Sequence, residues 1–337
     1  MVGEGAGAGR RAPAAGMRPA ALVLALGVLA LAGCAVGAKG GEPALPAGFA
    51  ALDMPDVGAN ALVYVNAGEP TQVPLGAFGA TDLVAGAGVV SIEVVVEDPD
   101  REFAARAEFV DLATAQRVTE AAILVASADP ARWVQADGSV VMVGRSDTAW
   151  GGAVREAWTT GSRVTIEERY PGVWEAIRLL PEDTPGRPVA VGFARNAPDL
   201  LDATLAVTDV SLPGLASALS LIRADVIAFG VYATDPSDLP QELNRDALRG
   251  SGIGVLGVAQ AGYPGFVVGF LFDQFAELAN LEETEVGSTT VLYRLVDGDL
   301  HLMVKAYGAS IYLAAAPTRA EAEALVLAVV RSQESRT

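Results

Sequence analysis

Apolar and polar positions along this chain follow two periods, and the periods divide it into strands and helices. Ala61–Val65 is a short apolar strand preceded by Leu52-Asp53-Met54-Pro55-Asp56. Val89–Val96 (VVSIEVVV) is a longer strand and ends in Glu97-Asp98-Pro99-Asp100. Glu108-Phe109-Val110 then runs into a helical stretch over 111–126. Trp133–Gly144 (WVQADGSVVMVG) reads as a hairpin, because Asp-Gly between alternating apolar residues is a strong turn signal. A helix over about 147–160 closes the series.

A second series repeats these landmarks in the same order. Leu179-Leu180-Pro181-Glu182-Asp183 precedes Val189–Phe193. Val226–Ala233 (VIAFGVYA) ends in Thr234-Asp235-Pro236-Ser237-Asp238. Phe270-Leu271-Phe272 runs into a helix over 273–283, and Tyr293–Val304 (YRLVDGDLHLMV) is again an Asp-Gly hairpin. Thr318-Arg319-Ala320-Glu321 is a capping box that opens a helix over 318–333. The second series carries a helical insertion at 198–223 and an added strand at 309–315. The stretch 170–180 (YPGVWEAIRLL) links the two series as a short helix, with Pro171 and Gly172 in its first turn. These patterns predict an α+β body, internally duplicated and mostly antiparallel, with helices packed on one face. The first repeat covers 52–170 and the second 171–337. Whether they share one core or form two stays open.

The N-terminus has a different pattern. Residues 1–16 are rich in Gly and Ala with Arg10 and Arg11, and Met17-Arg18-Pro19 leads into an almost unbroken run of Ala, Leu and Val over 20–31. The run is shorter than the roughly 20 residues that a bilayer span needs. A basic start, a short apolar core and small residues at its end make a secretory signal over 1–33, for which Met17 is a natural start. Leu31-Ala32-Gly33-Cys34 closes it. This segment, residues 17–35, resembles the lipobox of bacterial lipoproteins. The resemblance implies that the Cys34 thiol receives a diacylglycerol, that the chain is cut before it, and that acyl chains such as palmitate anchor the product in a membrane. Two or more chains hold where one would not. Ala35 stands where the family places an Asp for inner-membrane retention, so export to an outer membrane is permitted. Residues 34–51 are then the lipidated Cys and a flexible Gly/Ala/Pro-rich tether.

Composition narrows the function. The chain has 337 residues with 23 Lys+Arg and 41 Asp+Glu, a net charge of −18. Without residues 1–33 the remaining 304 carry 20 basic and 40 acidic side chains. Such a surface repels phosphate backbones and excludes nucleic acid as a partner. One Cys and one His exclude zinc fingers, disulfide frameworks and redox pairs within one chain.

Chemical motifs are sparse. Gly252-Ile253-Gly254-Val255-Leu256-Gly257 spells GxGxxG, but 244–249 before it reads as helix and 255–260 after it as strand. A dinucleotide site needs the reverse order, so these glycines read as strand crowding or a bulge. His301 is placed on the wetter face of a strand over 299–306, beside Lys305 and opposite Leu300, Leu302 and Val304, with no nucleophile or GxSxG elbow to serve. Glu97, Asp98, Asp100 and Glu102 cluster after one strand; Asp235 and Asp238 sit at the matching place, and Asp297 and Asp299 flank a hairpin tip. Asp98, Asp100, Asp297 and Asp299 are the candidates for a hard cation such as calcium, though they read first as solvated turn formers. Trp150 and Trp158 share a helical stripe, and with Trp133 and Trp174 they read as core. The expectation is a lipid-anchored extracytoplasmic module that binds an envelope protein, polymer or small ligand, without catalytic residue or cofactor. A solute-binding receptor of a transporter and a carboxylate-based envelope hydrolase are the alternatives.

Overall fold

A computed structural model describes residues 53–72, 88–98, 101–181, 184, 187–196, 214–233, 253–296 and 300–335. The signal segment, Cys34 and the tether lie outside them. The chain enters at β1 (Asp53–Pro55) and continues through β2 (Ala61–Gln72), β3 (Gly88–Asp98) and β4 (Glu102–Phe109). Helix α1 (Leu112–Ala126), the hairpin β5 (Arg132–Asp137) and β6 (Val140–Arg145), and α2 (Ala149–Thr160) follow. A link of β7 (Arg163–Thr165), α3 (Ile166–Arg169) and α4 (Pro171–Ile177) leads to β8 (Arg187–Arg195), α5 (Leu215–Leu221), β9 (Val226–Ala233) and β10 (Ile253–Gln260). Then come α6 (Gly265–Ala279), the meander β11 (Glu282–Val286), β12 (Thr289–Val296), β13 (Leu300–Tyr307) and β14 (Ser310–Ala316), and α7 (Arg319–Glu334).

Twelve strands form one antiparallel sheet in the order β11-β12-β13-β14-β10-β9-β8-β2-β3-β4-β6-β5, and β1 pairs separately with β7. The middle of the sheet is the pair β2–β8, with Val63 opposite Gly192. Outward from it the order is β3, β4, β6, β5 on one side and β9, β10, β14, β13 on the other. The hairpin that borders β10 as β5–β6 borders β4 is therefore β13–β14, turning at Gly308. The sequence pattern matches 133–144 to 293–304 and makes 309–315 the added strand; in the sheet, 309–315 falls in β14, next to β10, and β11 and β12 lie beyond β13. Both turns need a left-handed residue, and Gly138 (φ +59°) and Gly308 (φ +57°) supply it. Phe270–Phe272 does not precede a helix but lies inside α6, whose first residue is Gly265.

The helices cover both faces of the sheet, which corrects the expectation of one covered face. Leu256 and Val258 of β10, Met303 of β13 and Tyr312, Ala314 and Ala316 of β14 join Ala322, Leu325, Val326 and Val329 of α7 in one buried cluster. That cluster also takes Leu62, Val95 and Ala104 from the first half with Val154 and Ala157 of α2, so it runs through both halves. The intervening residues Ala259, Leu302, Val304 and Ile311 belong to a second cluster with Leu215, Ala218 and Leu219 of α5 and Val268, Phe275 and Ala279 of α6. Neighbours along one strand are buried in opposite directions, as with Ile311 at 0% and Tyr312 at 1% exposure. Strands apolar at both parities need a cover on each side. In the first half, α2 reaches the sheet edge through Arg155 over the Trp133 ring and Thr159 bonded to Gln135. Helix α1 packs on β4, β5 and β6 from the opposite side, where Phe103, Ala105, Ala107 and Phe109 alternate away from Ala104.

Candidate functional site

Two clusters of polar side chains stand out among the described residues, one in each half. The first is built on β3. Its alternation puts Ser91, Glu93 and Val95 on the α2 side, so a carboxylate lies in an otherwise apolar run and is only 2% exposed. Arg163 of β7 meets it as a fork: Nη1 donates to Oε2 at 2.9 Å and Nη2 to Oε1 at 2.7 Å. Trp158 Nε1 also donates to Oε2, at 2.8 Å. The same guanidinium donates from Nε to Asp53 Oδ1 and from Nη2 to the Asp53 carbonyl, both at 2.9 Å. Burial acts to lower the Arg163 pKa, but the bonds and charges of Glu93 and then Asp53 outweigh it and hold it above its ordinary value. Tyr64, opposite Glu93 on β2, has its hydroxyl pKa raised by burial and then by the Glu93 charge. Both Glu93 oxygens are engaged by donors, two on Oε2 and one on Oε1. The arrangement locks the first strand, β1, and the link strand onto the sheet; chemistry at Glu93 would have to break that lock first.

The lock continues along the chain start. Arg169 Nη1 donates to Asp56 Oδ1 at 3.0 Å, Trp150 Nε1 to the Gly58 carbonyl at 2.7 Å, and Ala59 N to Tyr170 Oη at 2.8 Å. Trp150 and Trp158 are half-buried against the core, Trp174 is buried, and Trp133 sits 6.5 Å from Trp158 between ring centroids. The tryptophans are thus packing groups, as their helical stripe implied.

The second cluster surrounds His301. Its Nδ1 shares a 3.0 Å hydrogen bond with Tyr293 Oη, and the two rings stack at 5.9 Å. The Arg319 guanidinium lies 5.2 Å from the Tyr293 ring centre and bonds Glu323 at 2.7 Å and Thr284 at 3.2 Å. Burial, and then the Arg319 charge, lower the His301 pKa. The strand face assigned to His301 is not simply wet: Met303, of the same parity, is 0% exposed beneath α7. His301 itself is half-buried, with a tyrosine rather than Lys305 as its partner. Lys305 instead donates to the Thr290 carbonyl at 2.7 Å. The hydrogen bond of His301 is to a phenol, where a triad imidazole is oriented by a carboxylate.

Of the cation candidates, Asp98 ends β3 opposite Glu102, while Asp100, Asp297 and Asp299 lie outside the described residues, as do Asp235 and Asp238. Glu102 is turned elsewhere: its carboxylate accepts from Ser146 Oγ and, at 3.2 Å, from Asp147 N. Among the described residues no three metal-ligating side chains converge. Gly254 and Gly257 lie on β10, and Gly252 lies outside the described residues. A Cβ on Gly254 would come within 2.6 Å of Leu325 Cδ1, so this glycine lets α7 approach the sheet. Sequence reasoning missed Glu93 and Arg163. The available signal was one carboxylate inside VVSIEVVV, a position too apolar to leave a charge unpaired.

No protein-family model matches the chain, and a search of curated proteins found no match. A solved structure described as "Structure of crystal form I of TP0453" resembles it with a TM-score of 0.37 and 8% identity, covering 83% of this chain and 99% of that one. No residue role is carried over from it.

Proposed function

We propose that this protein is a lipid-anchored extracytoplasmic module that works by surface recognition and not by catalysis. The observation that carries the reading is Leu31-Ala32-Gly33-Cys34 after an apolar run, with the single Cys of the chain at the place where acylation requires it. The order of parts fits: a signal over 1–33, then Cys34 and the tether to residue 51, then the body, whose first described strand starts at Asp53. Engagement of Glu93 by Arg163 and of His301 by Tyr293 also favours a binding role over chemistry at those groups. Cys34→Ser removes the thiol that carries the lipid. It is expected to leave an unprocessed or aqueous species, where the wild type partitions into the detergent phase. Equal partitioning with normal processing would end the proposal.

We also propose that the body arose by internal duplication. Two spacings support it: Gly138 to the helix cap Thr148, and Gly308 to the cap Thr318, are both ten residues. The order strand, strand, strand, helix, hairpin, helix fits both halves once α5, β11 and β12 are set aside as insertions. Superposing the halves is expected to bring Gly138 onto Gly308; unrelated positions would refute the duplication.

A further inference from the structure

Eight large apolar side chains stand exposed among the described residues, and seven belong to one side of the sheet. Phe266 (73%), Phe270 (82%) and Leu278 (44%) lie on α6; Leu112 (53%), Ile123 (54%) and Leu124 (69%) lie on α1, with Val110 just before it. The opposite layer of α2, α3, α4 and α7 contributes none of the eight. Lone exposed apolar residues are ordinary, but Phe266 and Phe270, one turn apart on α6 and the two most exposed of the eight, form an adjacent pair.

We propose that the outer face of α6 docks on a zwitterionic phospholipid bilayer. This deepens the lipid-anchored reading and rests on it. Residues 265–272 (GFVVGFLF) carry no charged or hydrogen-bonding side chain, and Phe266, Gly269 and Phe270 are exposed together. Just before the helix, Arg223 lies 4.9 Å from the Tyr263 ring centre, a pairing suited to the headgroup level. The acidic excess of the chain opposes an anionic surface, which selects zwitterionic lipid. It also opposes a second copy as the occupant, since pairing along α6 would bring the exposed Asp273 and Glu277 of two chains together. The tether leads into β1, whose Met54 belongs to the α7-side cluster. The 18 residues between Cys34 and Asp53 can span at most roughly 60 Å, more than the about 10 Å per packed layer that separates the two sides of the sheet. Held this close, even a small apolar face meets lipid at high effective concentration.

The test uses the acylated chain recovered from membranes and reconstituted in phosphatidylcholine vesicles. Gly269→Cys places an NBD label between the two phenylalanines, where an added Cβ meets nothing within 4 Å. Glu156→Cys places it on exposed α2 as a control. Acylation consumes the Cys34 thiol, so a second label on the chain reports failure of the anchor separately from failure of the face. Doxyl-phosphatidylcholine is expected to quench the 269 label about threefold or more over the 156 label, and Phe266→Ser with Phe270→Ser to abolish the difference. Equal quenching at both sites, or quenching that survives the double substitution, overturns the proposal. A 269 signal that follows protein concentration and not doxyl lipid assigns the face to a second copy instead.

Discussion

Helices α6 and α7 lie on opposite sides of the same strands and do the same structural work inward. Val268, Phe275 and Ala279 of α6 fill one cluster, and Ala322, Leu325, Val326 and Val329 of α7 fill the other. Outward they differ. Helix α7 begins with a capping box and an Arg319–Glu323 pair and carries Arg331 and Glu334 further on, whereas α6 turns two phenylalanines to solvent. The core constrains only the inward stripe of a helix. The outward stripe is free to record what the helix meets besides its own sheet, and on α6 that record is apolar.

The sharpest way to break this comparison is to substitute both sides of α6. Phe275→Ala should cost about 4 kcal/mol, because it empties a site 0% exposed in the core. Phe270→Ser, on the outward side of the same helix, should change stability by no more than about 0.5 kcal/mol. Urea denaturation measures both; a large loss from Phe270→Ser would mean that the outer face is structural. Next in size is the Glu93 lock. Glu93→Ala strands the Arg163 guanidinium and should cost about 3 kcal/mol in the same measurement. A loss near zero would mean that Asp53 alone satisfies the arginine.

Much of the fold was legible in the sequence. The antiparallel hairpins, the capping box at Thr318 and the Pro171 helix start follow from local rules, and the structure has them where the pattern put them. The covering of both faces was hidden by length. Over eight residues, β13 (LHLMVKAY) offers polar residues at one parity, which reads as a wet face, yet α7 arrives from further along the chain to bury Met303. The hairpin over 293–304 is present, but sheet position offers a different match for the hairpin over 133–144. Asp-Gly turn signals recur in this chain, since Val296-Asp297-Gly298 and Ala136-Asp137-Gly138 look alike, and only sheet order shows that the hairpin at Gly308 borders β10. Glu93 and Arg163 are 70 residues apart, so their pairing is a product of the fold and not of any local spacing.

Two smaller effects remain, the first a contrast between α7 and α2. Thr318 and Thr148 both cap their helices, but only Thr318 has the reciprocal Glu321 bond. Thr318→Ala should cost about 1 kcal/mol, and thermal melts will show whether Thr148→Ala costs less, as its single bond from Trp150 N implies. The smallest effect is on His301. Its folded pKa lies below the unfolded value of about 6.5, so as pH falls the unfolded chain takes the proton first. The stability it permits is full above about 6.5 and is lost as pH drops toward the lowered folded value. As the single histidine, it gives one clean proton NMR titration, expected below the ordinary value and moved upward by Arg319→Gln. An ordinary pKa, unmoved by that change, would remove Arg319 from its surroundings.

The account depends most on Cys34. Intact mass and N-terminal sequencing of the chain recovered from membranes test it in one step. The predicted result is a chain beginning at Cys34, heavier than the 34–337 polypeptide by a diacylglyceryl group or by that group and one amide-linked acyl chain. A chain beginning elsewhere, or one with Cys34 as a free thiol, would contradict it.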